Sequence, residues 1–207
     1  MAEYTLYGFK ESGNAYKAGL LLELAGCDWE ARWVDFFNGE TRSLEFRSEV
    51  NEMGEAPVLI HGDLKLTQSG VILEYLAQQT GQFGPANDVE HREILRWILW
   101  DNHKLTSYTA TYRFLKQFMK GTDQAVLDFL EGRMIAALKV LDKHLTGRDW
   151  VATGALSIAD FSICGYLFFE TEFGVDWADY PAIAAWRERI KALPGWQHPY
   201  DLMPGGP

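Results

Sequence analysis

The sequence predicts an α/β domain followed by an all-helical domain, and three observations carry that prediction. Residues 4–36 alternate strand, helix and strand patterns, and residues 58–77 add a hairpin and a second helix. Beyond a stretch at 81–88 that contains Gly and Pro, strand signals are scarce and apolar residues recur at helical spacing. The expected domains are therefore 1–80 and 88–207.

Taken in order, residues 4–9 alternate as a strand. Residues 14–25 form a helix with Ala18, Leu21, Leu22 and Ala25 on one face, and Gly26 ends it as a C-terminal glycine commonly does. Residues 30–36 are a second strand, parallel to the first if the helix between them is a right-handed crossover. The polar stretch 38–52 is expected to be irregular. Val58-Leu59-Ile60 and Leu64-Lys65-Leu66 then form a hairpin around His61-Gly62-Asp63, where Gly tolerates the positive φ of a tight turn.

Pro57 cannot donate to a ladder, so it either begins an edge strand or follows a cis peptide. In the second case the Ala56 backbone points outward and can pair with an extended ligand. Thr67-Gln68-Ser69-Gly70 breaks the hairpin, and Val71, Ile72, Tyr75 and Leu76 mark the next helix. A Gln68-Ser69 pair at a helix start offers unpaired N–H groups and a positive dipole end to a carboxylate.

In the second domain, Ser157 and Asp160 have the spacing of a capping box, with Leu156 and Phe161 as its hydrophobic staple. That reading is structural: losing such a cap costs about 0.5–2 kcal/mol. The first helix after the linker is crowded with large residues. Trp97, Trp100, Lys104, Tyr108 and Thr111 define one face, and Trp100, His103, Ser107 and Phe114 another. No second His or Cys lies three or four residues from His103, so no metal is expected there.

Bulk properties exclude several functions. A net charge of -10 and a pI near 4.9 disfavour nucleic acid and anionic membranes as partners. No apolar run approaches the roughly 20 residues that span a bilayer, and no signal peptide is visible. Cys27 and Cys164 lie far apart without metal-type spacing. The expectation is a cytoplasmic protein with both thiols reduced.

Asn51, Gly54, Pro57-Val58-Leu59, Gly62-Asp63, Leu66, Gln68-Ser69 and Ile72-Leu73-Glu74-Tyr75-Leu76 stand in the order and spacing of a known segment. Through them the chain resembles the cytosolic glutathione S-transferase family, in its bacterial, theta-like (serine-type) form. The resemblance runs over nearly the whole chain. It implies a thioredoxin-like N-terminal domain, an all-α C-terminal domain, glutathione as co-substrate, and detoxifying attack of its thiolate on a hydrophobic electrophile.

A free thiol has a pKa near about 8.5, and the thiolate is the nucleophile, so such an enzyme must lower that pKa. The loop between the first strand and first helix is where the resemblance places the activating group. Ser12 is similar in placement to the catalytic serine of theta-type members, and its other reading is a helix N-cap. Asn14 is a second candidate, since some bacterial relatives look to Asn in this loop. Tyr7 lies near the position of the catalytic tyrosine of other classes, although strand aromatics are usually core. No Cys occupies the loop, which disfavours the chemistry of the Cys-containing classes.

By the same resemblance, the Ala56 backbone beside Pro57 pairs with the cysteinyl portion of glutathione, and Gln68 and Ser69 hold the γ-glutamyl end. Two positions depart from the family: Glu55 stands where Lys is frequent, and Glu52 where Pro is. A carboxylate at 55 would repel the glycyl carboxylate. Arg42, with Arg47 as second choice, is the replacement, or both are solvated surface charges. The electrophile pocket is implied where the two domains meet, with Lys104, Tyr108 and Tyr112 as its candidates. A symmetric homodimer is also implied. The alternative is a non-catalytic relative, a binding or regulatory protein with weak glutathione affinity.

Overall fold

The computed structural model describes residues 2–206 and, within them, every side chain but those of Glu170 and Phe173. Positions 1 and 207, which bound the expected domains, lie outside the described residues. Backbone proximity divides the chain into two units, Met1–Gln82 with Leu193–Pro207, and Phe83–Ala192.

The first unit opens with β1 (Tyr4–Gly8), α1 (Gly13–Leu24) and β2 (Trp29–Trp33). A short α2 (Leu44–Glu49) follows, then β3 (Val58–His61), β4 (Leu64–Thr67) and α3 (Ser69–Thr80). The sheet order is β2-β1-β3-β4, with β1 parallel to β2 and antiparallel to β3. The hairpin is in register with His61 opposite Leu64, so its turn is the pair Gly62-Asp63, and Gly62 adopts the expected positive φ of 57°.

Alternation along β1 assigns its faces. A Cβ on Gly8 would lie 2.6 Å from the Ala15 Cβ of α1, so Gly8 and Leu6 face the helix layer. Tyr7 therefore faces the other side, where Phe9, Val34 and Phe46 make a small core with Trp33, Phe36 and Val50.

The stretch 38–52 is not irregular. It holds a 3-10 turn, Glu40–Arg42, and the helix α2, because the Ser43 hydroxyl accepts from the Phe46 N–H at 3.0 Å and the Phe46 ring is buried. A helix of one and a half turns is too short for periodicity to reveal. β2 also ends earlier than expected, since Asp35 turns the chain by donating its N–H to the Glu40 carboxylate at 2.6 Å.

Leu193–Pro207 groups with this unit. Its turn Pro199–Leu202 packs on α1, and Lys10 donates its backbone N–H to the Pro204 carbonyl at 2.9 Å. The C-terminal segment thus pins the loop before α1.

The second unit is helical: α4 (Asp88–Trp100), α5 (Thr106–Gln117), α6 (Gln124–Leu145), α7 (Ile158–Cys164), α8 (Glu170–Phe173) and α9 (Pro181–Lys191). α4 and α5 are joined by a π-helical turn, Asp101–Leu105. That turn inserts one extra residue and shifts the phase of the buried stripe. The stripe runs through Ile94, Trp97, Asp101, Leu105, Thr109 and Tyr112 rather than through Trp97, Trp100, Lys104, Tyr108 and Thr111. The enclosed carboxylate of Asp101 accepts from the Thr106 hydroxyl at 2.8 Å and from the Ser162 hydroxyl of α7 at 2.7 Å. The α7 capping box forms as the spacing of Ser157 and Asp160 requires, the Ser157 N–H donating to Asp160 Oδ2 at 3.0 Å.

Candidate functional site

Three pieces of the first unit converge at one end of the sheet. The first is the start of α1. Ser12 is the N-cap: its Oγ accepts from the Ala15 N–H at 3.1 Å, and only 4% of the residue is exposed. Capping uses the oxygen as an acceptor and leaves the O–H proton to donate. The N–H groups of Gly13 and Asn14 have no acceptor among the described residues, so the helix end carries uncompensated positive dipole.

The second piece is the segment before β3. The Ala56-Pro57 peptide is cis, which decides between the two readings of Pro57. Pro57 is buried, and the Ala56 backbone makes no hydrogen bond among the described residues. The loop leading to it is fixed by Asn51, whose Nδ2 donates to the Glu55 carbonyl at 2.8 Å while its Oδ1 accepts from Met53 at 3.0 Å. A buried Asn in a polar loop carried no recognisable signal of that function in the sequence.

The third piece is the start of α3. Gln68, its N-cap, has φ 69° and ψ 114°, a conformation that non-glycine residues seldom adopt, and its side chain caps nothing. The N–H groups of Ser69, Gly70 and Val71 are thereby open among the described residues. The buried Ser69 hydroxyl donates to Asn14 Oδ1 at 3.5 Å, the outer limit of a hydrogen bond, which brings the two helix starts together. The Gln68 amide donates to Glu55 Oε2 at 3.0 Å and approaches Met53 Sδ at 3.4 Å.

The other expected contributors have their own settings. The Tyr7 hydroxyl accepts from Arg32 at 2.8 Å, with the guanidinium 4.8 Å over the ring, on the sheet face away from α1. Arg42 and Arg47 are exposed and form no ion pair among the described residues. The Arg42 guanidinium lies over Gly39 and that of Arg47 over Gly54. Burial, and then Glu3, raise the Cys27 thiol above its ordinary range, so it is not a thiolate.

In the helical unit, Lys104 and Tyr108 are half-buried and one turn apart. Tyr112 is held in the core. Its ring is buried at the α5–α6 contact, its hydroxyl donates to Glu131 at 2.8 Å, and Lys116 donates to the same oxygen at 2.8 Å. Burial raises its phenol, with Lys116 opposing and Glu131 adding. The π turn is the reason: it rotates Tyr112 into the core stripe. Asp160 is enclosed by Val151, Ser157 and Trp186 N–H donors, as a buried cap.

A cavity of about 550 Å³ in this unit lies among Glu93, Arg96, His144 and residues 148–154. Its carboxylates are already paired, Glu93 with Arg96 and Asp149 with Arg189. Among the described residues no group of three or more His, Cys, Asp or Glu side chains could hold a metal ion, and no helix is long and apolar enough to cross a membrane.

The model for the glutathione S-transferase N-terminal domain matches residues 2–78, and that for the C-terminal domain matches 101–194. A solved structure from Rhodopseudomonas palustris, described as a possible glutathione S-transferase, superposes with a TM-score of 0.90 at 32% identity, covering 96% of this chain and 98% of that one. A glutathione transferase family member from Pseudomonas fluorescens Pf-5, solved with two glutathione bound, gives 0.83 at 25% identity, with 94% and 90% covered. The disulfide-bond oxidoreductase YfcG of Escherichia coli K12 is 27% identical over 193 residues, which are 90% of this chain and 89% of that protein.

Proposed function

The chain belongs to the glutathione S-transferase family, and from that premise we propose how it works. As a glutathione transferase it takes glutathione as co-substrate. In our reading the tripeptide lies across the three converging pieces. Its cysteinyl backbone pairs with Ala56 beside the cis-Pro57, its γ-glutamyl carboxylate meets Ser69 and the open N–H groups of α3, and its sulfur faces the start of α1. The observation that carries this reading is the junction of the two helix starts through Asn14 and Ser69. It sets two positive dipole ends side by side, and both favour an anionic ligand.

Ser12 is the proposed thiolate donor. A hydroxyl whose oxygen already caps a helix keeps its proton for the sulfur, and donation to the charged form lowers the thiol pKa. Asn14, half-buried beside it, is the companion donor. Tyr7 is disfavoured by its place on the opposite face with Arg32. Arg42 is the proposed partner of the glycyl carboxylate, with Arg47 its neighbour in that role. For the hydrophobic electrophile we propose contacts from Lys104 and Tyr108. The thiolate so formed can attack carbon or a disulfide sulfur. The YfcG likeness favours including disulfides among its targets, with the thiol drawn from glutathione because Cys164 is buried and Cys27 is protonated.

The test removes the donor at little cost to the helix start. Gly substitutes for an N-cap Ser at a cost of only a few tenths of a kcal/mol. Ser12→Gly is expected to keep glutathione affinity, lose turnover, and raise the pH at which bound thiolate absorbance appears. An unshifted titration would transfer the role to Asn14. Binding without turnover in the parent would favour the non-catalytic alternative.

A further inference from the structure

Glu55 departs from the family pattern, yet it sits against the γ-glutamyl side of the site. Its Oε2 accepts from the Gln68 amide at 3.0 Å, and Gln68 immediately precedes Ser69 at the open end of α3. Its backbone is held in place by Asn51 Nδ2 on its carbonyl. The Gly54 before it has φ 68° and no room for a Cβ, which would lie 2.8 Å from the Thr41 carbonyl. No cation pairs with this carboxylate among the described residues, and its second oxygen is unengaged.

The γ-glutamyl end of glutathione carries a carboxylate and an ammonium on one carbon. The open N–H groups of α3 and Ser69 match the carboxylate, and none of them carries a negative charge to pair with the ammonium. Gln68 is a neutral amide whose donors are taken by Glu55 and Met53, leaving its carbonyl oxygen as an acceptor beside the carboxylate. We propose that Glu55, oriented by Gln68, is the specificity residue that recognises the α-ammonium of the γ-glutamyl group. On this account the chain has not lost a glycyl contact without return. The acidic side chain selects the zwitterionic end of the thiol substrate, and thiols whose γ-glutamyl nitrogen is absent or acylated are discriminated against. The inference rests on the glutathione site proposed above.

The experiment is calorimetric titration of the parent, Glu55→Gln, Ser69→Ala and the exposed control Glu52→Gln. Two probes are used: glutathione, and its deaminated analogue in which hydrogen replaces the ammonium. The parent is expected to prefer glutathione by roughly tenfold or more, as for hydrogen bonds between charged groups. Glu55→Gln should lose most of that preference by weakening glutathione alone. Ser69→Ala should weaken both probes together, and Glu52→Gln should change neither. If the parent and Ser69→Ala behave so but Glu55→Gln keeps the full preference, the assignment to Glu55 is overturned while the site stands. If the parent binds neither probe, both fall.

Discussion

Ser69 shows how much a single hydroxyl can decide. It is 6% exposed and its one side-chain hydrogen bond among the described residues is a long one to Asn14, so the fold loses little when Oγ is removed. A hydrogen bond to a charged ligand group is worth about 1.5–3 kcal/mol. Ser69→Ala is therefore expected to weaken glutathione binding by about that amount with an unchanged melting temperature. Calorimetry checks it, and a variant that titrates like the parent would move the γ-glutamyl end elsewhere. The candidate residues themselves were legible in the chain because each stands at a local landmark: a Ser before an apolar helix, a Pro that cannot donate, a polar pair after a hairpin. Their partners were not. Tyr7 with Arg32, Glu55 with Gln68 and Tyr112 with Glu131 and Lys116 are set by strand register and helix packing, which leave no short-range mark.

At the scale of elements, the α7 cap concentrates charge and burial. Asp160 accepts from the Val151 N–H, the Trp186 indole, the Ser157 N–H and the Ser157 hydroxyl, all within 3.1 Å. Asp160→Asn sets an amide donor against some of these donors and should destabilise the protein by about 2–4 kcal/mol. Burial pushes the carboxyl up to about 6 while the donors pull it back. The unfolded carboxyl titrates near about 3.9, so between these values the folded state binds the extra proton. The contribution of this group to stability is then fully present below about pH 4 and is lost as pH rises through about 6. Denaturant midpoints of parent and variant should converge as pH rises across that window, and parallel profiles would reject the raised pKa. The capping box was readable because Ser157 and Asp160 are three residues apart. The π turn was not, since Asp101–Leu105 has no residue that demands it, and its one-residue phase shift moves the buried stripe off the spacing read through Trp97, Trp100, Lys104, Tyr108 and Thr111.

Over the whole molecule, the apolar load is distributed differently from what composition alone suggests. None of the eight tryptophans is exposed; Trp97 and Trp186 are buried and the others half-buried. The large apolar side chains that water reaches are mostly aliphatic, led by Leu44 at 88%, Val89 at 69% and Leu99 at 61%. They recur on both units: Leu44, Met53, Leu64 and Val71 on the first, Val89, Leu95 and Leu99 on the second. Single exposed aliphatics need no explanation, but sets of them at neighbouring positions of α3–β4 and along α4 mark surfaces suited to a partner. A two-fold interface between copies of this chain would bury surfaces of this kind. The net charge of -10 on each copy opposes that association at long range and keeps the surface soluble, so the dimer should tighten as salt screens the repulsion. Light scattering at micromolar concentration should give twice the 23.6 kDa chain mass, more firmly at high salt than at low. A constant mass of one chain at every ionic strength would reject the dimer and leave the aliphatic patches as ordinary surface.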